Sequence, residues 1–483
     1  MREFLQTRRL FVIVFALGLF VMASRNVTDP DVWWHLRTGQ LILQTGHVPR
    51  VDPYSFTRAG QRWIDHEWLS QILIYGLYRA GGWITPIAFF GAIAAAALML
   101  AYARSPGKPY VAAVVTLLGA FAAAPSWGVR PQMLTFLLAS VLLLLWDRSY
   151  SRPGLLCWIP PIILLWANLH AGYALGIVFV ILFAAGDALD AAFGLMARSE
   201  LTRRLKILTA VLAASLAVVA INPNGTSLYT YPFQTLHSSA MQRYITEWQS
   251  PDFHAGKHLP LLLMIMGSLL LPAISPHRLR PRDLLLLVVM TFAALISSRH
   301  IPIYVLVAVP MLSATLNAWI MEKHFSLPWR NKPLPRPRAV LNACILVILA
   351  LSAAARLRYV SAHQPAVEAK EFPAAAVSYL RTHRLSGPML NHDNWGGYLI
   401  WHLAPQYPVF VDGRADVYGD GFLKEFASVY FVQGKNWQQL LETWGIQSVF
   451  LPPDAPLVTA LGTIPSWTVA YADRQAVIMI KHP

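Results

Sequence analysis

The segment RRLFVIVFALGLFVMASRNVTDPDVWWHLRTG, residues 8–39, places an apolar run directly before an acidic and aromatic segment. Residues 10–24 carry no charge and follow the basic pair Arg8 and Arg9. A run of this kind behind basic residues is typical of a membrane helix whose N-terminus stays in the cytoplasm. Signal peptides share the pattern, but no small-residue cleavage site precedes the polar segment. We therefore interpret the run as a retained first membrane helix.

Composition extends this interpretation to most of the chain. Of the 483 residues, 56% are hydrophobic and only 13% are charged, which is more apolar surface than a soluble core can bury. Apolar runs close to the ~20 residues that a helix needs to cross a bilayer recur until the last part of the sequence. They predict about eleven membrane helices. The predicted spans are 10–24, 84–103, 110–124, 132–147, 155–169, 172–190, 206–221, 259–275, 283–297, 301–320 and 339–355.

The net charge of +15 does not indicate nucleic-acid binding, because the basic residues fall in short loops between apolar runs. With the N-terminus inside, these loops all lie on the cytoplasmic side, as the positive-inside rule requires. The other side receives two long loops, 25–83 and 222–258, and the tail. We therefore expect a multi-pass inner (plasma) membrane protein with a cytoplasmic N-terminus and an extracytoplasmic, periplasmic C-terminal domain. Residues 67–83 are predicted to form a helix along the membrane surface; if they crossed the membrane, everything downstream would invert.

The outward loops gather ionisable residues, which are the first candidates for a functional site. Asp29 and Asp31 flank a proline that fixes an extended backbone, so both carboxylates can project near one another. Such a pair can hold a hard cation or divide acid and base roles; alternatively, Asp31 caps the helix that follows it. Trp33 and Trp34 come next, and they either anchor the chain at the membrane surface or stack on sugar rings.

Other metal ligands are weakly indicated. DHEW, residues 65–68, offers a second acidic pair around a histidine, but its spacing does not match the two-histidine helical zinc pattern. Cys157 and Cys344 lie inside or beside apolar runs. A disulfide framework or a thiolate metal site is therefore not expected.

The opening loop resembles that of the GT-C superfamily, the polytopic glycosyltransferases that take sugars from polyprenyl-phosphate or polyprenyl-diphosphate donors. DPDVWWHLRTG, residues 29–39, is similar to the aspartate-aromatic signature after helix one in the catalytic subunit of oligosaccharyltransferase. MLNHDNWGGYLIWHLAPQYPVFVDGRADVYG, residues 389–419, is similar to the tryptophan-rich segment and following strand of that subunit's soluble domain. The resemblance extends to the layout of spans, outer loops and tail. It implies that Asp31 is the leading catalytic residue and that Asp29 is its partner.

One departure from the family pattern concerns the metal. Metal-using members carry an acidic residue in the second outer loop, where this chain reads PSWGVRP, residues 125–131. The resemblance therefore favours the metal-independent members, in which basic side chains hold the donor phosphate. We assign this role to Arg130, Arg299 and His300, which cap tight outer turns, although each could equally be a snorkelling residue at a helix end. The alternative is a divalent cation, Mg²⁺ or Mn²⁺, held by Asp29 and Asp31.

The tail predicts a small α/β domain over 356–483, behind a transmembrane GT-C-like domain over 1–355. Short apolar strands alternate there with helical stretches. The predicted strands are 408–412, 448–452, 468–472 and 476–480, and the predicted helices are 374–384 and 437–445. Asp412, Arg414 and Asp416 follow the first of these strands, a usual place for ligand contacts in open α/β sheets. A structural ion pair between Arg414 and an aspartate is the alternative.

The resemblance to the GT-C superfamily implies an inverting hexosyl or pentosyl transferase. It would move a sugar from a polyprenyl-phosphate-linked donor to an unknown glycan, lipid or protein acceptor at the outer face. The assigned catalytic residues are Asp31, Asp29, His35, Asp65, His66 and Glu67. The assigned acceptor or sugar contacts are Trp33, Trp34, His170, Glu247 and Trp395. The alternatives are a transporter or lipid flippase, which the scarcity of ionisable residues within the spans disfavours, and a non-catalytic GT-C-like assembly protein.

Overall fold

The computed structural model describes residues 7–324, 336–385 and 387–482 and is mainly helical. In chain order the helices are α1 (Thr7–Ala23), α2 (Val32–Thr45), α3 (Trp68–Gly81), α4 (Ile84–Arg104), α5 (Pro109–Ala123), α6 (Gln132–Ser149), α7 (Ile159–Leu169), α8 (Tyr173–Ala192), α9 (Arg198–Val219), α10 (Tyr231–His237), α11 (Ser239–Tyr244), α12 (Leu259–Ile274), α13 (Pro281–Ile296), α14 (Ile301–Glu322), α15 (Arg336–Glu371), α16 (Ala374–Thr382), α17 (Asp393–Leu403), α18 (Ala415–Tyr430), α19 (Trp437–Thr443) and α20 (Pro456–Leu461). The strands are β1 (Met389–Asn391), β2 (Ser448–Leu451), β3 (Trp467–Ala472) and β4 (Val477–Lys481). The predicted class, a polytopic helical membrane protein with a small C-terminal α/β region, is confirmed.

Among the described residues, seven helices are long and apolar enough to cross a membrane, and two shorter apolar helices accompany them. Each of the eleven predicted runs coincides with a helix: α1, α4 to α9, and α12 to α15. The largest differences are at the ends. The helix α9 begins at Arg198 rather than 206, and α15 continues to Glu371 rather than ending at 355. The extension of α15 is rich in Ala, Arg and Glu, which favour helix even outside an apolar run.

The chain divides into two compact units. The first contains the described parts of Met1–Arg25, Ile87–Asn222 and Thr246–Ser361. Its centre is α14, which is almost completely buried over its first half and packs against α5, α6, α12 and α13. A Cβ on Gly119 would lie 2.7 Å from Cγ1 of Val305. This glycine therefore lets α5 approach α14 closely.

A buried ion pair joins α8 to α9 within the first unit. Oδ2 of Asp187 lies 2.7 Å from Nε of Arg204, and neither side chain is exposed. The Tyr150 hydroxyl donates a 2.7 Å hydrogen bond to Oδ1 of the same carboxylate, while the Arg204 guanidinium lies 4.0 Å from the centroid of the Tyr150 ring. These charged groups thus stabilise helix packing.

The second unit contains the described parts of Asn26–Pro86, Pro223–Ile245 and Ala362–Pro483. Its sheet has the strand order β1-β2-β4-β3, with β1 and β2 parallel and the other neighbours antiparallel. Phe56 of the first outer loop packs against the apolar core of the tail, and Thr57 Oγ1 donates a 2.6 Å hydrogen bond to the Phe410 carbonyl. The first outer loop therefore folds with the tail, and the predicted domain boundary at residue 355 falls inside α15.

The predicted strand 408–412 is wrong. This segment makes a single bridge, from Val409 to Ser55, and its Phe410 N–H donates a 2.8 Å hydrogen bond to the Asn391 side chain. The Asn391 side chain thus accepts a hydrogen bond that a neighbouring strand would otherwise accept. The segment therefore lies outside the sheet. The sheet uses β1 instead, which is only three residues long and too short to show a periodic pattern.

Candidate active site

The start of α2 determines the position of Asp31. The helix begins at Val32, but the Asp31 side chain makes no capping hydrogen bond. Its Oδ1 instead accepts a 3.0 Å hydrogen bond from the indole Nε1 of Trp34. Oδ1 of Asp29 accepts a 2.9 Å hydrogen bond from the Asp31 backbone N–H. Capping, the alternative role for Asp31, is therefore wrong, and its negative charge lies at a helix N-terminus, which stabilises anions.

Glycines of the tail bring its backbone against this aspartate segment. A Cβ on Gly413 would lie 1.8 Å from Oδ1 of Asp31, and one on Gly397 would lie 2.6 Å from the Pro30 carbonyl oxygen. A Cβ on Gly396 would lie 2.2 Å from the carbonyl oxygen of Val411. Only glycine fits such close approaches. The two segments that carry the family resemblance are thus adjacent within the second unit.

The residues around Gly413 form a buried ion network. Arg414 binds Asp412 through Nε and Nη2, at 2.8 and 2.7 Å, and its Nη1 lies 2.8 Å from Oδ1 of Asp52. The Tyr418 hydroxyl donates a 2.7 Å hydrogen bond to Asp412. Burial raises the pKa of Asp412, but the charge of Arg414 outweighs it and holds the pKa below its ordinary value. The structural ion pair between Arg414 and an aspartate, one of the two alternatives expected from the sequence, is therefore confirmed.

A second cluster of titratable groups lies between the starts of α2 and α3. Glu67 is 3.7 Å from His35 through Oε2 and 3.4 Å from His66 through Oε1. The Trp34 ring contacts His35 with ring centroids 3.7 Å apart and planes tilted by 41°, and Trp34 connects this cluster to Asp31. The two helices approach closely here because Gly39 packs against the Gln71 backbone. The predicted catalytic residues His35, His66 and Glu67 are therefore brought together.

Asp65 is the most perturbed member of this cluster. Its Oδ1 accepts a 2.6 Å hydrogen bond from Gln71, while its buried Oδ2 has no hydrogen-bond partner among the described residues. Burial raises the pKa of Asp65 to about 7. Burial lowers the pKa of His66, but Glu67, Asp416 and Asp65 outweigh it and raise the pKa above its ordinary value. Groups that titrate near neutral pH can serve as acids or bases.

Two of the tryptophans predicted to contact sugar, Trp33 and Trp395, are buried. Trp33 is 1% exposed, and its ring meets Trp83, Phe372 and Tyr398 edge-on at centroid distances of 5.4, 5.4 and 4.9 Å. Both membrane anchoring and sugar stacking by Trp33 are thus contradicted, because the ring lies in a packed interior. Trp395 is also buried, at 5.3 Å from the Phe450 ring, so it too packs the interior.

A separate basic cluster forms in the first unit. Arg130 comes from the turn before α6, Glu247 from the 3-10 helix Thr246–Trp248, and Arg299 from the 3-10 helix Ser298–His300. Nη1 of Arg130 forms a short ion pair with Oε1 of Glu247. Burial raises the pKa of Glu247, but the charges of Arg130 and Arg299 outweigh it and hold the pKa low. Two predicted phosphate residues therefore act on one carboxylate, a pairing that the sequence did not reveal.

His170 adds a hydrogen-bond donor to this cluster. The Gly172 backbone N–H donates a 3.0 Å hydrogen bond to Nδ1 of His170, and Thr135 Oγ1 lies 2.8 Å from the same nitrogen. A neutral imidazole that accepts at Nδ1 carries its hydrogen on Nε2. Nε2 faces Nη2 of Arg299 at 3.4 Å. The His170 ring therefore borders the guanidinium group of Arg299.

Metal binding has no support from the described residues. They contain no group of three or more His, Cys, Asp or Glu side chains placed to hold an ion. Oδ1 of Asp29 is engaged by the Asp31 backbone, and Oδ1 of Asp31 is engaged by Trp34.

Comparisons with known proteins give fold-level likeness only. Neither a protein-family model nor a curated protein sequence matches the chain. The similar solved structures include two crystal structures of ArnT from Cupriavidus metallidurans, one bound to undecaprenyl phosphate and one in the apo state. Each has 14% sequence identity and an alignment covering 97% of both chains, with TM-scores of 0.47 and 0.46 respectively. This degree of likeness does not assign the chain to a family.

Proposed function

We propose that this chain is an inverting membrane glycosyltransferase that moves a sugar from a polyprenyl-phosphate-linked donor to an acceptor at the outer face of the membrane. The observation that carries the proposal is the position of the Asp31 carboxylate. It is fixed by Trp34 and lies against Gly413. The segments that resemble the GT-C signature are therefore organised around one carboxylate.

Asp31 is proposed to orient the acceptor and receive the proton from its hydroxyl. As the acceptor oxygen bonds to the anomeric carbon, the bond from that carbon to the phosphate oxygen breaks. The lipid phosphate leaves as an anion and needs little acid assistance. Asp29 holds the Asp31 backbone in place, so it is a positioning residue in this scheme.

Arg130, Arg299 and His300 are proposed to bind a lipid phosphate, with His170 beside Arg299. Guanidinium groups suit this task because they remain charged and present several donors. Such donors stabilise the negative charge of a bound phosphate. Asp65, His66 and Glu67 are proposed to tune the protonation around Trp34 and His35, since burial raises the pKa of Asp65 and neighbouring carboxylates raise the pKa of His66.

The test uses the full chain in liposomes with synthetic polyprenyl-phosphate hexoses and pentoses and a membrane extract as acceptor. Free polyprenyl phosphate and glycosylated acceptor are measured by mass spectrometry. Asp31→Asn should abolish both products while donor binding is retained, whereas Asp454→Asn, at an exposed tail position, should behave as wild type. Full activity of Asp31→Asn would contradict the assignment of Asp31 as the catalytic carboxylate.

The alternatives give different results in the same liposomes. A flippase would move lipid-linked sugar across the bilayer without forming free polyprenyl phosphate. An assembly protein would bind lipid but give neither product. Either result with the wild-type chain contradicts the transferase proposal.

A further inference from the structure

The carboxylate of Glu247 is the anion that the basic cluster holds in this structure. It is ion-paired with Arg130, and the charge of Arg299 also acts on it. The side chain of Glu247 is 34% exposed, and that of Arg130 is 17% exposed. The pair therefore lies at an accessible surface rather than in a closed core.

Arg299 is the second guanidinium of the cluster. Its charge acts on Glu247, and its Nη2 lies 3.4 Å from Nε2 of His170. Arg299 is held by its own contact, since its guanidinium lies 5.2 Å from the centroid of the Trp248 ring.

The backbone of Glu247 is fixed while its side chain is long. Ser297 Oγ donates a 2.9 Å hydrogen bond to the Glu247 carbonyl, and the Ser298 N–H donates a 3.0 Å hydrogen bond to the Gln249 carbonyl. These bonds tie the glutamate to the turn that carries Arg299. Because a glutamate side chain rotates about three bonds, its carboxylate can leave Arg130 without moving the main chain.

We propose that Glu247 is an internal competitor at this anion site, a carboxylate that occupies Arg130 until a phosphate-bearing ligand displaces it. The identity of that ligand as a lipid phosphate rests on the proposed function. Competition from the Glu247 carboxylate lowers the binding affinity of every phosphate by the same factor. Small soluble phosphates then bind poorly, whereas a lipid phosphate retains the additional binding energy of its chain in the bilayer.

The test measures binding to the full chain in nanodiscs, with inorganic phosphate as one probe and a short-chain polyprenyl phosphate as the other. Glu247→Gln should lower the dissociation constants of both probes by roughly tenfold, which corresponds to about 1.4 kcal/mol of binding free energy. Asp252→Asn, a carboxylate change in the same outer segment at an exposed position, should leave both affinities unchanged. Unchanged or weaker phosphate binding by a folded Glu247→Gln protein would overturn the inference.

A double-variant comparison separates competition from a general charge effect. In an Arg130→Met background, Glu247→Gln should change phosphate binding less than twofold, because the contested guanidinium is absent. A full tenfold gain in that background would contradict displacement at Arg130. Tightening of inorganic phosphate alone would show that the lipid phosphate binds elsewhere, which also contradicts the proposal. If both probes tighten but no sugar transfer is found, the inference stands and the proposed function fails.

Discussion

The indole Nε1 of Trp34 donates a 3.0 Å hydrogen bond to Oδ1 of Asp31, three residues earlier and just before the first turn of α2. A carboxylate in this position is oriented by a rigid aromatic group rather than by the helix backbone. Trp34→Phe removes the donor and keeps an aromatic ring. Since hydrogen bonds to charged groups contribute about 1.5–3 kcal/mol, kcat/KM for sugar transfer should fall roughly tenfold to a hundredfold. Trp158→Phe, at an exposed position, is the control, and equal activity of both variants would contradict this role.

Gly413 should tolerate no side chain. Gly413→Ala places a Cβ against Asp31, so the carboxylate or the tail backbone must shift. We expect sugar transfer to be lost while the protein still elutes as a folded species from size-exclusion chromatography. Gly421→Ala is the matched control, because a Cβ there meets no atom within 4 Å. Normal transfer by Gly413→Ala would show that the close approach has no functional role.

Asp65 should make stability depend on pH. Burial raises its pKa to about 7 in the folded protein, above the ordinary value of an unfolded aspartate, near 3.9. Folding therefore favours the neutral form of Asp65. The contribution of this group to the free energy of unfolding is highest below about pH 4 and falls as the pH rises toward 7. A difference of about three pKa units corresponds to an upper limit of about 4 kcal/mol. Asp65→Asn should remove this loss, which thermal unfolding at pH 5 and pH 8 would measure. An Asp65→Asn protein that still loses the same stability between these pH values would contradict the prediction.

The Asp187–Arg204 pair should be costly to break. Both side chains are fully buried, so Asp187→Ala leaves an uncompensated charge inside the helices and should destabilise by about 3–5 kcal/mol. The control is Glu200→Gln, which breaks an exposed pair with Arg203 and should cost at most about 1 kcal/mol. Thermal unfolding in detergent compares the two. Similar melting temperatures would show that the buried pair contributes little.

Membrane orientation can be tested within the first unit alone. Single cysteines are placed at His254, in the second long loop, and at Ala197, in a loop that precedes basic residues. In a background without Cys157 and Cys344, an impermeant maleimide added to intact cells should label residue 254. Residue 197 should react only after permeabilisation, because basic loops stay in the cytoplasm. The reverse pattern would invert the proposed topology.

The helices were predictable because hydrophobic runs are local signals. The eleven runs all coincide with helices, and α3 was found from a mixed segment. The end of α15 was missed because its last residues are polar, so that only their helix propensity, not their hydropathy, continues the helix.

The site was predictable in its residue types but not in its pairings. The sequence drew attention to Asp31, Arg130 and Arg299, yet nothing local shows that Arg130 meets Glu247 from a turn more than a hundred residues later. The same holds for Asp52 and Arg414. The paired glycines at 396 and 397 were the available signal for close backbone approach, since a side chain at either position would collide.

The hydrogen bond from Thr57 to the Phe410 carbonyl joins residues 353 positions apart. At a synthesis rate of about 5–20 residues per second, the first outer loop waits roughly 20 to 70 s for its partner. During that time Trp33 and Phe56 have no tail to cover them. We therefore expect biogenesis of this protein to depend on keeping the early loop from aggregating until the segment around Phe410 has been synthesised.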